Sequence, residues 1–541
     1  GLLWERGSFY FAKKRLEGYN DPMNKFTTWL AKNSGKILTV MIGAYVLVVS
    51  AICIWKYQHF LYNGLDLAIF NNALFNTVNG DWWWSTIQGH NYLGDHFEPI
   101  LILFLPIYYF WQSPILLLIL QTLALGLAAW PIYLVVKKIY LEEPATKDPV
   151  DNDNSGIATS SRISVTPRND KIKVWPLAIS FLWLINPLVH NLNLFEFHAI
   201  AFLPFLSLWL FYIYLKFKKQ SSKRLILCFN VLMLLCLMVR EDVAFIILTF
   251  LAIIWFSDLK NKYLPRITLG ALVITIVYLI ISFQLISHFS PSGFSPFAYY
   301  YGWLGKANIA AIIKHLLTLT NLEMVLGFLA PFFFLPIIKP RWLLITLIPL
   351  GQIIMSAAGG GAQVWQLHYG ALFLPALVIA FIYSWQRADN YVARKFQSPG
   401  LLLAIIIIFN LCLWPSFGPW HNNKTVVDEQ AVQAMIKKIE PDASVLASYR
   451  LLPNISSRAK VYSLHYYFLG VQQFAQAEYN LNGEIQYLIL DKEDYQQYDE
   501  ILKTSAWAGQ YYGRGYERLE ALLSAYQKID ESGRISLWRK N

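Results

Sequence analysis

The nineteen residues Ile37–Trp55, ILTVMIGAYVLVVSAICIW, contain no charged side chain. About 20 such residues in a helix cross the hydrocarbon core of a bilayer, so this stretch reads as a membrane span. Similar apolar runs recur at 114–136, 174–190, 199–215, 225–239, 243–256, 267–286, 321–338, 342–356, 371–385 and 399–415. Together they predict about eleven transmembrane helices. Composition agrees: of 541 residues, 56% are hydrophobic and 15% charged, with a mean hydropathy of +0.39. A soluble chain of this length divides into several domains, with about a quarter of its residues charged. The fold class expected is mainly α, a polytopic helical membrane protein.

The net charge of +11 is distributed by loop. Basic residues gather before the first span (Lys13, Lys14, Arg15, Lys25, Lys32, Lys36) and at Lys137 and Lys138. They recur at Lys216 to Arg224, Lys260 to Arg266, Lys339 with Arg341, and Arg387 to Lys395. The intervening loops hold only Lys56, Arg240, Lys306 and Lys314. That alternation is the positive-inside pattern. It puts the N-terminus in the cytoplasm and the C-terminal region outside, in a multi-pass protein of the cytoplasmic (plasma) membrane. The partner implied by the excess charge is the lipid bilayer, not nucleic acid. Pro99–Trp111 is apolar but short and aromatic, and reads as a helix in the outer interface. As a true span it would invert every later loop.

Cys53, Cys228, Cys236 and Cys412 all fall in apolar runs, so no disulfide framework is expected. The first span doubles as the insertion signal. Residues 1–36 form a cytoplasmic or interfacial segment and 37–415 the transmembrane domain. Within it, 66–112 is the first external loop and 141–173 a polar cytoplasmic insert. Residues 416–541 have the composition of a small extracytoplasmic α/β domain. Helices are expected at Val426–Ile439 and Glu517–Tyr526, and strands at Ser444–Ala447, Val461–Leu464 and Ile485–Leu490. A hairpin is expected around Glu531-Ser532-Gly533. This region holds no phosphate loop, no Walker lysine and no nucleophile elbow.

Ionisable groups near the membrane are costly and call for a reason. The first external loop has Asp66 and Asp81 within NGLDLAIFNNALFNTVNGDWWW, then GDHFEP with Asp95, His96 and Glu98. Asp66 lies in a segment of helical spacing at the outer rim. A helix cap or solvated acid is the plain alternative, preferred for Asp81. Asp95 and Glu98 offer carboxylate oxygens that suit Mg²⁺ or Mn²⁺, and His96 an imidazole that tolerates Mn²⁺ or Zn²⁺, although Asp95 could simply cap a helix. The second external loop, HNLNLFEFHAI, supplies His190, Asn193, Glu196 and His198. Glu196 and His198 can share a site only on extended or irregular backbone. Arg240-Glu241-Asp242 sits between two apolar runs, either as a mutual salt bridge or with the arginine fork on a lipid phosphate. QLHYG adds His368 and Tyr369, after Gly359-Gly360-Gly361.

Several of these stretches resemble one family. LDLAIFNNALFNT, GDHFEPI, NLFEFH, VREDVA, LHYGALFLPAL and PDASVLAS are similar to domain-of-unknown-function family twenty seventy-nine. Its members are grouped with the GT-C superfamily of polyprenyl-phosphate-sugar-dependent membrane glycosyltransferases. The similarity runs from about Asn63 to the C-terminus, the cytoplasmic insert excepted. It implies a GT-C-like fold and an inverting transfer of a hexosyl or pentosyl group from a polyprenyl-phosphate donor to an extracytoplasmic acceptor. Asp66 matches the essential first-loop acid and would be the general base, with Asp95 and Glu98 as further catalytic acids. Arg240, His198, His368 and Tyr369 would face the donor phosphate. Asp95, His96 and Glu196 would hold a divalent metal, Mg or Mn, with no nucleotide cofactor. Two other classes compete: a transporter or flippase for lipid-linked saccharides, and a non-catalytic cell-envelope assembly protein. A transporter should carry an inverted repeat and broken helices, and neither is legible in the sequence.

Overall fold

The computed structural model describes residues 22–62, 64–142, 174–219, 222–257, 264–291, 296–396, 398, 400–414, 428–472, 477–504 and 513–541. Most of the expected segment 1–36 and of the insert 141–173 therefore lies outside the described residues.

The first apolar run lies inside a helix spanning Pro22–Gln58, about 55 Å long at 1.5 Å per residue. Leu38, Ile42, Tyr45, Val49 and Cys53 recur every three or four positions and are buried, while Val40 and Leu47 on the opposite face are 70% and 74% exposed. A helix that is apolar on both faces is satisfied only if lipid covers the outer one. A helix overlies each of the other apolar runs as well. Among the described residues, four helices are long and apolar enough to cross a membrane: Lys25–Gln58, Pro114–Leu141, Ala199–Lys218 and Ile267–Phe289. The count is seven if each bent pair of shorter helices makes one span.

The bends are a feature that the hydropathy pattern did not announce. Trp175–Leu184 and Pro187–Leu194 meet at 41°, as do Ile309–Leu316 and Leu319–Phe332. The first break has a local cause. Asn186 accepts a hydrogen bond from Leu188 N, and Pro187 occupies the first helical turn; Asn followed by Pro starts a new helix. The aromatic stretch after Glu98 forms a 3-10 turn, Pro99–Phe104, and a short helix, Leu105–Phe110. Leu103, Phe110 and Trp111 on it are exposed. None of the four cysteines is in a disulfide.

The C-terminal region is built on five strands, β1 (Val445–Ala447), β2 (Val461–Ser463), β3 (Tyr487–Asp491), β4 (Tyr526–Ser532) and β5 (Ile535–Lys540). They form one sheet of order β2-β1-β3-β5-β4. The first three pair in parallel and the last two form an antiparallel hairpin. Helices cover Glu429–Lys437 and Gly515–Leu523 as expected, and Lys492–Thr504 adds one that was not.

This region is docked onto the first loop. Asn71 Nδ2 donates to Ser456 Oγ (2.8 Å), Asn72 Nδ2 to Arg458 O (3.0 Å) and Thr86 Oγ1 to Val461 O (2.7 Å). Tyr479 Oη donates to both Thr86 O and Ile87 O at 3.0 Å. Asn71 and Asn72 are fully buried, so each needs these partners. Both asparagines lie on the helix Leu65–Val78, the one that carries Asp66.

Candidate functional site

Asp66 sits in the first turn of the helix Leu65–Val78. The N-terminus of that helix is closed by a side chain from far along the chain. Glu196 accepts from Gly64 N through Oε1 (2.9 Å) and from Leu67 N through Oε2 (2.8 Å). A carboxylate there satisfies two unpaired amides and faces the positive end of the helix dipole. Burial, then the charge of Asp66, pushes the Glu196 carboxyl up to about 8, against the two amide bonds.

Residues 195–198 form the irregular joint between the Pro187–Leu194 helix and the 3-10 turn Ala199–Phe202. His198 has an extended backbone, φ −145° and ψ 135°, which lets it share the neighbourhood with Glu196 two residues earlier. Its Nε2 lies 3.2 Å from Asp66 Oδ2, with the histidine side chain 8% and the aspartate 37% exposed. The His368 ring stacks on His198 at 3.8 Å between centroids. Burial, followed by the neighbouring His198, holds the His368 imidazole well below its usual pKa. Nδ1 of both histidines is buried without a hydrogen-bond partner.

One ligand atom from each of Asp66, His198 and His368 falls within 4.8 Å of the other two, and no other such group occurs among the described residues. Buried nitrogens without partners, next to a part-exposed carboxylate, fit a divalent cation. Two imidazoles and one carboxylate suit Zn²⁺ or Mn²⁺ better than Mg²⁺. The expected grouping of Asp95, His96 and Glu196 does not assemble, because each is engaged elsewhere. Glu196 caps the helix, Asp95 Oδ2 accepts from Gln88 Nε2 (3.0 Å), and His96 Nδ1 is 2.9 Å from Glu241 Oε1.

A second cluster joins loops 95–100 and 238–242. Glu241 Oε2 accepts from Phe97 N (3.0 Å), and Ile100 N donates to Met238 O (2.9 Å). Burial works against a charged His96, yet Glu241 and Asp95 raise its pKa to about 10. Glu98 is buried and accepts from Tyr92 Oη at 2.6 Å. Burial pushes its carboxyl up to about 7, against the positive charges of His96 and Arg240. Arg240 grips Asp242 with both prongs, Nε to Oδ1 at 2.8 Å and Nη2 to Oδ2 at 2.6 Å. Of the two roles open to this arginine, the structure displays the intramolecular ion pair.

Tyr369 packs against His368, with ring centroids 4.1 Å apart. Burial raises its phenol, and the charges of Arg240, Asp66, Asp242 and Asp95 all reach it. Tyr466, from the C-terminal region, is raised by burial and by Tyr449, Asp95 and Asp66. The charges of these carboxylates thus reach a tyrosine from the bundle and another from the sheet region. Tyr92 and Tyr466 carry no motif that singles them out among 32 tyrosines; only their position in the fold identifies them.

A family model described as "Predicted membrane protein (DUF2079)" matches residues 56–517. No curated protein matches the chain. Among solved structures the chain is similar to the Archaeoglobus fulgidus oligosaccharyltransferase, crystallised in complex with Zn and sulfate. The identity is 13% and the TM-score 0.41, over 89% of this chain and 71% of that one.

Proposed function

The chain belongs to the predicted membrane protein family DUF2079, and from that premise we propose that it is a membrane glycosyltransferase using a polyprenyl-phosphate-linked sugar. One observation carries the reading: a part-exposed Asp66 carboxylate, fixed at a capped helix N-terminus and 3.2 Å from a buried histidine. In the reaction, the acceptor hydroxyl attacks the anomeric carbon and the new C–O bond forms. The bond from that carbon to the donor phosphate breaks, and its electron pair leaves with the phosphate. Asp66 takes the hydroxyl proton, and attack on the face opposite the departing phosphate inverts the configuration at the anomeric carbon.

His198 orients the Asp66 carboxylate and leaves Oδ1 for the acceptor. A divalent ion held by Asp66, His198 and His368 would supply positive charge to the departing phosphate. Tyr369, packed against His368, would supply a hydroxyl beside the site. Asp95 and Glu98, close by on the first loop, would line the acceptor side. In this reading eleven segments cross the membrane, the basic loops face the cytoplasm, and the C-terminal α/β domain is extracytoplasmic. The site draws on the loops poor in basic residues, which supports that orientation.

The test is transfer from radiolabelled polyprenyl-phosphate sugars by the purified protein in lipid nanodiscs. Transfer by the wild type and its loss in folded Asp66→Asn supports the reading; a wild type inert toward every such donor removes it. The bent pairs at Leu184/Pro187 and Leu316/Leu319 favour a second reading, a flippase for lipid-linked saccharides, because transporters use broken helices. That reading expects Asp66→Asn to move a fluorescent lipid-linked sugar between leaflets as well as the wild type does.

A further inference from the structure

Gln121 was not among the residues that the sequence singled out. It lies in the helix Pro114–Leu127 and is fully buried. Its Oε1 accepts from His198 N at 2.9 Å. Its Nε2 lies 3.0 Å from Glu196 O, 3.1 Å from Asn193 O and 3.3 Å from Leu192 O, and donates to them. One side chain therefore holds four backbone groups of the joint between two apolar helices.

We infer that Gln121 is the positioning residue of the site, setting the register of segment 192–198 and with it the reach of His198 toward Asp66. This rests on the proposed role of Asp66 and His198. The physical need is clear. Buried irregular backbone survives only where its amides and carbonyls find partners inside the protein. Leu192 O and Asn193 O are end-of-helix carbonyls, which any donor could satisfy. The bonds to Glu196 O and His198 N are different, because they bracket Phe197 and fix the one extended stretch that brings both functional side chains to the Leu65–Val78 helix. Lys56 adds a second tie, Nζ to Leu194 O at 2.5 Å, on the helix side of the joint. Of these two ties, Gln121 is the one that reaches beyond Phe195.

The prediction separates positioning from simple satisfaction of polar groups. Gln121→Asn keeps an amide but is one methylene shorter, so it cannot reach Glu196 O and His198 N together. Gln121→Glu keeps the length and the acceptor for His198 N–H, and as the neutral acid that full burial enforces it keeps one O–H donor for Glu196 O. Cobalt(II) alone, titrated into the full chain in nanodiscs and followed by its visible absorption, reports the Asp66–His198–His368 geometry. Groups that orient metal ligands typically carry 10–100-fold in affinity. We expect about tenfold weaker binding in Gln121→Asn and within about threefold of wild type in Gln121→Glu.

Diethyl pyrocarbonate labelling of His198, read by mass spectrometry, needs no metal. It should speed up in Gln121→Asn and stay near the wild-type rate in Gln121→Glu. If the wild type binds no cobalt, the metal part of the proposed function falls and the labelling rates alone judge Gln121. Ser180→Ala, which removes a buried hydroxyl bonded to Ala129 O and Pro176 O, controls for general loss of stability. Wild-type behaviour of Gln121→Asn overturns the inference. Equal damage in Asn and Glu variants, matched by an equal fall in unfolding temperature, also overturns it.

Discussion

His198 Nε2 and Asp66 Oδ2 lie 3.2 Å apart although 132 positions separate them in sequence. The contact depends on a cap rather than on either residue alone. Glu196 closes the helix that carries Asp66, and the same strand of backbone carries His198. Positioned general bases contribute about 10²–10⁴-fold. Asp66→Asn should therefore lower the transfer rate by about that factor, with little change in unfolding temperature, since Asn keeps the shape and a polar partner for His198. Single-turnover rates on nanodisc protein decide it; a variant slowed less than about tenfold excludes Asp66 as the base.

Much of this arrangement was legible in the sequence. The apolar runs became helices because nothing but lipid or core can cover residues such as Val40 and Leu47. The short strands around Val445, Val461 and Leu488 showed as brief apolar runs, and each is buried at every position. Asp66, His198 and His368 each stood out as ionisable groups beside apolar helices. Their grouping did not, because pairing across more than a hundred residues leaves no periodic trace. Glu196 looked like a ligand and is a cap. Arg240 could have met a phosphate, and its fork is taken by Asp242 two residues on. The break at Asn186-Pro187 was written as a cap followed by proline, but a single apolar window runs straight across it.

Glu98 gives a pH dependence of stability. Its carboxyl rises from 4.5 to about 7 on folding, chiefly by burial, so the folded chain holds the proton more tightly. The resulting stabilisation is complete below about 4.5 and is lost as pH climbs through about 7. At 1.36 kcal/mol per unit the effect is roughly 3 kcal/mol at most. Glu98→Gln, uncharged at every pH, should flatten the unfolding temperature between pH 5 and 8 relative to wild type. Parallel curves for the two proteins over that range would rule out a raised Glu98.

The Arg240–Asp242 pair should behave as a unit. Removing one member of a buried pair leaves the other charge uncompensated and costs about 3–5 kcal/mol. Asp242→Asn and Arg240→Gln should each destabilise by about that much, and the double variant by clearly less than their sum. Denaturation midpoints across the cycle measure the coupling, and strict additivity would show that the two side chains act independently. Arg240→Lys should rescue poorly, since an ammonium cannot copy the two-pronged contact.

His368 offers a test of the metal assignment that leaves the proposed base intact. Its ring stacks on His198, and its buried Nδ1 has no hydrogen-bond partner. His368→Phe preserves the stacking and removes the ligand. Manganese or zinc binding, followed calorimetrically on chelator-stripped protein, should weaken at least about tenfold. Undiminished binding would place the ion elsewhere.

Gly64 joins the site to the C-terminal region. Its φ of +98° is a conformation that side-chain-bearing residues rarely adopt, and a Cβ there would stand 2.3 Å from Tyr449 O. The obstacle is backbone, so it cannot swing away. Gly64→Ala should cost about 1–3 kcal/mol in strain alone, with relief available only by lifting the Tyr449 segment off the Leu65–Val78 helix. That helix carries Asp66 two residues later, and its first amide bond to Glu196 comes from Gly64 itself. Stability and transfer should therefore fall together in Gly64→Ala. Asn72→Ala removes the hydrogen bonds to Arg458 O and the Thr86 amide, farther along the same helix, and should cost stability with a smaller loss of transfer. Limited proteolysis of the C-terminal region, run beside the transfer assay, distinguishes the two: equal losses of transfer at equal stability would show that Gly64 has no special tie to Asp66.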